Sequence, residues 1–344
     1  MKYDYSSLDL AGKSIFVTGA TGSFGQSFVR TVLHQFQPRR LIIFSRDEQK
    51  QYEMGLRLSQ AEFPAVRYFI GDVRDVHRLE LAMRDVDVVV HAAALKHVPT
   101  AEYNPFECVQ TNIHGAENVV KAALTNNVEK VIALSTDKAV NPINLYGASK
   151  LAADKIFVAA NNLAGTGRTR FSVVRYGNVM GSRGSVVPLF QRLIRQGADE
   201  LPITDPNMTR FWITLEEGVE FVLSCLEMMH GGEIFVPKIP SMRIVDLAKA
   251  MAPGLAHRVV GIRPGEKLHE ALLTDHDSRT ALELENLYVI EPAFAFWNRE
   301  NYLASGAKSV EPGFVYQSDT NTEWLDDEAV DRIIRGLDHD GRCQ

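Results

Sequence analysis

Ser14-Ile15-Phe16-Val17-Thr18-Gly19-Ala20-Thr21-Gly22-Ser23-Phe24-Gly25 is an apolar run that breaks into three glycines at three-residue spacing. After it, Phe24, Phe28, Val29, Val32, Leu33 and Phe36 recur at helical spacing. A buried strand, a glycine turn and a helix, in that order, are what a dinucleotide-binding fold requires. Glycine lets the backbone turn tightly and approach a pyrophosphate, whose charge lies against the free N–H groups of the helix N-terminus. The candidate cofactor contacts here are Gly19, Thr21, Gly22, Ser23, Phe24 and Gly25. The spacing differs from the Gly-x-Gly-x-x-Gly fingerprint, so this stretch taken alone is equally compatible with an uninvolved turn.

Working outward, residues 40–44 form a second strand ending in Ser45-Arg46-Asp47-Glu48-Gln49-Lys50. An acidic side chain at that strand end would bind a ribose 2′-hydroxyl; Ser45 followed by Arg46, with Lys50 near, favours a 2′-phosphate and hence NADP. Residues 66–70 deliver Gly71-Asp72-Val73, where Asp72 is either an adenine partner or a helix N-cap. The valine-rich residues 86–90 read as a strand buried on both faces. They lead to His91-Ala92-Ala93-Ala94-Leu95-Lys96-His97, small residues that let the backbone lie against a flat cofactor ring or ribose. Neither histidine has companions at metal-ligand spacing, so no metal is expected. A helix is expected over residues 105–127, with Asn112 as a polar contact inside it. Residues 171–176 are a further strand, ending at Gly177-Asn178-Val179. Strands alternating with helices predict an α/β fold, a doubly wound parallel sheet whose site lies at the carboxyl ends of the strands.

The densest polar window is Ser135-Thr136-Asp137-Lys138-Ala139-Val140-Asn141-Pro142-Ile143-Asn144-Leu145-Tyr146-Gly147-Ala148-Ser149-Lys150, directly after an apolar strand. Tyr146 and Lys150 share one face of a helix, where a cation favours a tyrosinate. We read this window as the active site. Residues 1–179 are expected to form the NADP-binding domain, with a helix at about 215–230 returning to it, and residues 180–344 mainly a smaller substrate-binding lobe. Arg183, Arg210 and Arg263 in that lobe are candidates to neutralise a diphosphate.

The bulk properties narrow the class. A 344-residue chain with net charge −6 and 23% charged residues lacks the basic excess of a nucleic-acid binder. Its three cysteines are far apart, which suits a reducing compartment, and no apolar run approaches membrane-spanning length. A cytoplasmic location without nucleic-acid or membrane partners is the expectation.

The assembled motifs resemble the extended short-chain dehydrogenase/reductases with a Rossmann fold. They are most similar to the inverting UDP-N-acetylglucosamine 4,6-dehydratases. The resemblance is carried by residues 19–25, 92–99, Leu134-Ser135-Thr136-Asp137-Lys138-Ala139, Asn144-Leu145-Tyr146-Gly147-Ala148-Ser149-Lys150, residues 174–179 and Arg263-Pro264-Gly265-Glu266-Lys267. It implies that Tyr146 takes the proton of the sugar 4-hydroxyl, assisted by Thr136 and Lys150, while NADP takes hydride from carbon 4. Lys138 then removes the carbon 5 proton and Asp137 protonates the departing 6-hydroxyl. Related retaining dehydratases carry Asp-Glu at these two positions, so the lysine marks the inverting reaction. The resemblance further implies cofactor contacts at Asp72, Val73, Ala92, Ala93, Ala94, Asn112 and Val179. It places the nucleotide sugar on Lys96, Tyr146, Asn178, Thr204, Arg263 and Glu266, joined by Arg183 and Arg210. It also suggests a homo-oligomer, a hexamer among the options, in a bacterial surface-sugar pathway of the pseudaminic-acid type. A 4-epimerase of the same fold and a non-catalytic NADP-sensing module are the competing readings.

Overall fold

A computed structural model describes residues 2–165, 167–182, 184–294, 297–326, 328–330 and 332–334. Six parallel strands are built from the first half of the chain: β1 (Ser14–Thr18), β2 (Arg40–Ser45), β3 (Val66–Ile70), β4 (Val88–His91), β5 (Lys130–Thr136) and β6 (Arg170–Tyr176). Their order is β3-β2-β1-β4-β5-β6. The winding direction therefore reverses between β1 and β4, and the loops leaving these two strands lie side by side, where such sheets bind ligands. All of β1 is buried, as is the valine run of β4. Helix α1 (Ser23–Gln35) covers β1 with Phe28, Val29 and Val32. Burial on both faces explains why these strands are continuously apolar rather than alternating.

The sheet continues beyond β6. Ile234–Pro237 joins β6 in parallel, Leu287–Ile290 pairs antiparallel with it, and Ala281–Glu283 and Lys308–Ser309 complete ten strands. The described residues from 180 on are thus divided between the main sheet and a second apolar core around Met180, Phe190, Leu201, Trp212 and Leu247. The late strands run only two to four residues, too short for a period to be read. Helix Leu215–Met228 returns to pack on α1, its start fixed by a capping box between Thr214 and Glu217.

The helix expected over residues 105–127 is broken into Pro105–Val109, a π-helical turn at Gln110–His114, and Gly115–Thr125. The wide turn carries Asn112 inward, where its amide donates to the Leu95 carbonyl (2.9 Å) and accepts from the Leu95 N–H (2.8 Å). π-turns of this kind commonly occur near functional sites.

His91, at the end of β4, is buried, and its Nδ1 lies 2.8 Å from Thr18 Oγ1. Burial first, and the nearby Lys150 charge second, press its pKa from 6.5 down to about 3. The folded protein thus keeps the imidazole neutral where the unfolded chain takes up a proton. Its contribution to stability is fully present above pH 6.5 and is lost as pH falls toward 3, at about 1.4 kcal/mol per pH unit. Urea unfolding at pH 7.5 and 5.5 should show wild type losing about 1.4 kcal/mol more than His91→Gln; equal losses would contradict the assignment.

Candidate active site

The cavity at the switch point has a volume of about 680 Å³ and opens along the carboxyl ends of the strands. Its first wall is the glycine turn. Gly19 has φ +64°, and a Cβ there would lie 2.8 Å from Ala93 N and 2.9 Å from Ala92 O. Only a glycine allows that conformation and that approach. Gly25 lets α1 close onto the backbone of Ala20, where a Cβ would collide. Thr18 Oγ1 ties the neighbouring loop down by accepting the Ala92 and Ala93 N–H groups at 3.1 and 3.2 Å. Gly22 occupies the N-cap of α1 without a side-chain cap, and the first turn holds no acidic residue. Gly22, Ser23, Phe24 and Gly25 line the cavity at the positive end of the helix dipole, which fits a pyrophosphate.

Thr21, Ser23, Phe24, Ala92, Ala93 and Ala94 line this end, and Ser45, Arg46, Lys50, Asp72 and Val73 line the outer end. Asp75, not Asp72, caps the following helix Val76–Ala82. That leaves the Asp72 carboxylate facing Arg74 at 2.6 Å and Arg46 at 3.6 Å. Lys50 pairs with Asp47 at 2.7 Å. Asn112 does not line the cavity; it braces the Leu95 backbone and donates to Ser149 Oγ at 2.9 Å. Its neighbour Thr111 lines the cavity instead, with a buried hydroxyl that has no hydrogen-bond partner. Sequence reasoning passed over Thr111, because nothing but the π-turn reveals which of the two residues faces inward.

The acid–base groups meet at the ends of β5 and β6. Asn144 caps helix Leu145–Leu163 by accepting the Gly147 N–H at 2.7 Å, which starts the helix just before Tyr146. Gly147 lets that helix pack against the Lys138 carbonyl, which a side chain there would strike. Tyr146, 8% exposed, packs on Ala101 and Cys108. Burial pushes its phenol up to about 12, against the opposing pull of the Lys138 charge and of a hydrogen bond shared with the Thr136 hydroxyl. Lys150 is buried, donates to the Leu134 carbonyl at 2.7 Å, and is held below the usual lysine range, chiefly by burial. One turn on, the fully buried Asp154 accepts from Ser135 at 2.8 Å and lies 3.5 Å from Arg175. Among the charges around the Tyr146 phenol, Lys138 is the one that pulls its pKa down most.

Asp137 is completely buried. Its Oδ1 accepts from Thr136 at 2.8 Å and from Lys138 Nζ at 3.0 Å, while Oδ2 has no hydrogen-bond partner. Lys138 also lies 3.5 Å from Glu270, a residue that sequence reasoning did not select. Burial works against its ammonium, but the two carboxylates outweigh burial and raise its pKa. In the resting protein Lys138 is charged.

Of the expected sugar and cofactor contacts, Lys96, Asn178 and Val179 line the cavity, and the buried Asn178 Oδ1 has no hydrogen-bond partner. Thr204 is half-buried outside its walls. Arg210 is buried, with its guanidinium donating to the carbonyls of Thr209, Lys267 and Leu268 at 2.7, 2.9 and 3.0 Å. These bonds tie the guanidinium to the lobe backbone, close enough to Lys138 for its charge to act there. Arg263 is exposed and forks onto Glu266. Arg183 lies outside the described residues. No group of three or more metal-ligating side chains occurs among the described residues, and none of their helices is long and apolar enough to cross a membrane.

The model of the family described as polysaccharide biosynthesis protein matches residues 15–292. The chain belongs to that family. The chain is 58% identical over 327 residues to a UDP-N-acetylglucosamine 4,6-dehydratase (inverting) of Campylobacter jejuni, covering 94% of this chain and 97% of the relative. It is 44% identical to a UDP-glucose 4-epimerase of Rickettsia bellii, over 95% of this chain and 96% of that one. Among solved structures it superposes on Pen from Bacillus thuringiensis with a TM-score of 0.87 and 36% identity, covering 96% and 99% of the two chains. The dTDP-glucose 4,6-dehydratase DesIV of Streptomyces venezuelae, solved with NAD bound, shares the fold at a TM-score of 0.66 and 23% identity, over 74% of this chain and 86% of DesIV.

Proposed function

We propose that this protein is a lyase that dehydrates UDP-N-acetylglucosamine across carbons 5 and 6, by way of a 4-keto sugar, with inversion at carbon 5. The observation that carries this reading is the meeting of Tyr146, Thr136, Asp137 and Lys138 at one end of a dinucleotide cavity. The 58% identity to an inverting dehydratase of nearly equal length supports it. When bound, NADP supplies a hydride acceptor for carbon 4 and later a hydride donor for carbon 6. The residues present suit it: the glycine turn and α1 for the pyrophosphate, the alanine loop for ribose and ring, Arg46 and Lys50 for a 2′-phosphate.

Tyr146 takes the proton of the 4-hydroxyl, positioned with Thr136 and Lys150. The carbonyl so formed acidifies the carbon 5 hydrogen. Lys138 takes that proton and Asp137 gives one to the 6-hydroxyl, which leaves as water. Because Lys138 starts charged, a proton must first pass from its ammonium to Asp137 Oδ1, along the 3.0 Å hydrogen bond between them. Lys96, Asn178, Arg263 and Glu266 hold the nucleotide sugar, the Arg263–Glu266 pair opening to admit the diphosphate and the uridine ribose. Tyr103 and Phe106, 87% and 82% exposed on short helices beside the Tyr146 helix, support a homo-oligomer. The product suits the first step of a bacterial surface-sugar pathway.

Incubation with UDP-N-acetylglucosamine in deuterated water tests the reaction. A 6-deoxy-4-keto product with deuterium at carbon 5 is expected. Carbon 4 epimerisation without deuterium would establish the epimerase reading instead, since a 4-epimerase has no use for a base at carbon 5. For the cofactor, Arg46→Ala should weaken NADP by about 10-fold or more and leave NAD nearly unchanged, as expected for loss of a charge-assisted phosphate contact. Equal weakening, measured by fluorescence titration, would remove Arg46 from 2′-phosphate recognition.

A further inference from the structure

The segment carrying Arg263 and Glu266 continues into the acid–base centre. Asn144 Nδ2 donates to the Gly265 carbonyl at 2.8 Å, and Lys267 Nζ donates to the Val140 carbonyl at 2.6 Å. Arg210 clamps the carbonyls of Lys267 and Leu268, and the Glu270 N–H donates to Ser318 Oγ at 3.0 Å. These contacts fix the backbone on both sides of Glu270. Its carboxylate, in a residue only 2% exposed, lies 3.5 Å from Lys138 through Oε1 and 3.3 Å from Lys267 through Oε2. Oε2 is buried without a hydrogen bond. A buried carboxylate fixed this firmly against the base is more than the fold needs, because a lysine already paired with Asp137 requires no second partner.

We propose that Glu270 is a positioning residue for proton removal at carbon 5, holding the Lys138 side chain between two carboxylates. This rests on the dehydratase reading above. Asp137 starts that step as the acid and Lys138 as the neutral amine; the carbon 5 proton passes to Lys138, the Asp137 proton leaves with the 6-hydroxyl as water, and the pair returns to carboxylate and ammonium. On its far side Glu270 faces Lys267. The charged and titratable groups that face Lys138 are Asp137, Glu270, Arg210, Tyr146 and Lys96, with Lys267 behind Glu270.

The test uses the full chain with NADP and UDP-N-acetylglucosamine. It measures NADPH absorbance in a single turnover, deuterium at carbon 5 and the pH dependence of the carbon 5 step. Glu270→Gln should form NADPH within about 3-fold of wild type, lose carbon 5 deuterium incorporation by about 100-fold, and move the pH limb of that step down by about one unit. Lys267→Met, which leaves Glu270 uncompensated, should move the same limb up, and Glu270→Asp should restore part of the exchange. A purely structural role would lower both half-reactions together and shift neither limb. That result, or unchanged exchange in Glu270→Gln, overturns the proposal while the dehydratase reading stands. Absence of exchange in wild type overturns both. Should Glu270→Gln fail to fold, the upward limb shift in Lys267→Met decides, its absence counting against the proposal.

Discussion

Tyr146→Phe is expected to lower turnover by about 10³-fold while leaving the fold and NADP binding intact. The ring is nearly buried against Ala101 and Cys108, with Val98 and Leu145 beside it, so a phenylalanine keeps the packing and removes only the hydroxyl. The size of the loss follows from what that hydroxyl must do. Its pKa of about 12 reflects burial, which outweighs the help of Lys138 and Thr136. Working as a base near pH 7 requires a further drop of about 5 units, roughly 7 kcal/mol. That drop falls to the positive charge brought by the bound cofactor and to the substrate hydroxyl, so the phenol is reactive only in the complete complex. Single-turnover NADPH formation checks this. Unchanged turnover would remove Tyr146 from the chemistry, whichever sugar is the substrate.

Lys138→Met should separate the two halves of the reaction. Oxidation persists and NADPH accumulates, whereas carbon 5 exchange and dehydration fall by about 10³-fold. Oxidation itself slows, by about 10-fold, because Lys138 is the cation that lowers the Tyr146 phenol and its loss lets that pKa rise further. The variant also strips the buried Asp137 and Glu270 of their shared counter-ion. Breaking a buried pair from one side costs about 3–5 kcal/mol, so a lower melting temperature accompanies the kinetic change and circular dichroism must confirm folding. Equal loss of oxidation and exchange would place Lys138 outside the carbon 5 step.

Much of the frame was legible in the sequence, because β1, the glycine turn and α1 are local in the chain and their apolar spacing reports burial directly. The Ser135–Lys150 window was legible for the same reason: strand end, short turn and helix start deliver Thr136, Asp137, Lys138 and Tyr146 together. What could not be read depended on partners far along the chain. Glu270 meets Lys138 across 132 residues of sequence, and nothing in Glu-Lys-Leu-His-Glu says which carboxylate turns inward. Arg210 carries the charge a diphosphate wants, yet three backbone carbonyls claim it. Asn112 makes the polar contact inside the fold expected of it, but the π-turn that aims it at Leu95 and turns Thr111 to the cavity is invisible in the spacing.

The path of residues 263–270 divides the chemistry along the chain. The groups proposed to oxidise the sugar, Thr136, Tyr146 and Lys150, all lie before residue 180, on β5 and the helix that follows it. The second carboxylate beside Lys138 arrives only with the lobe, on a segment that touches Val140 and Asn144 from above. The lobe is therefore more than a receptacle for the nucleotide. If Glu270 holds Lys138 as proposed, elimination depends on a contact that oxidation does not need, made by a segment far along the chain.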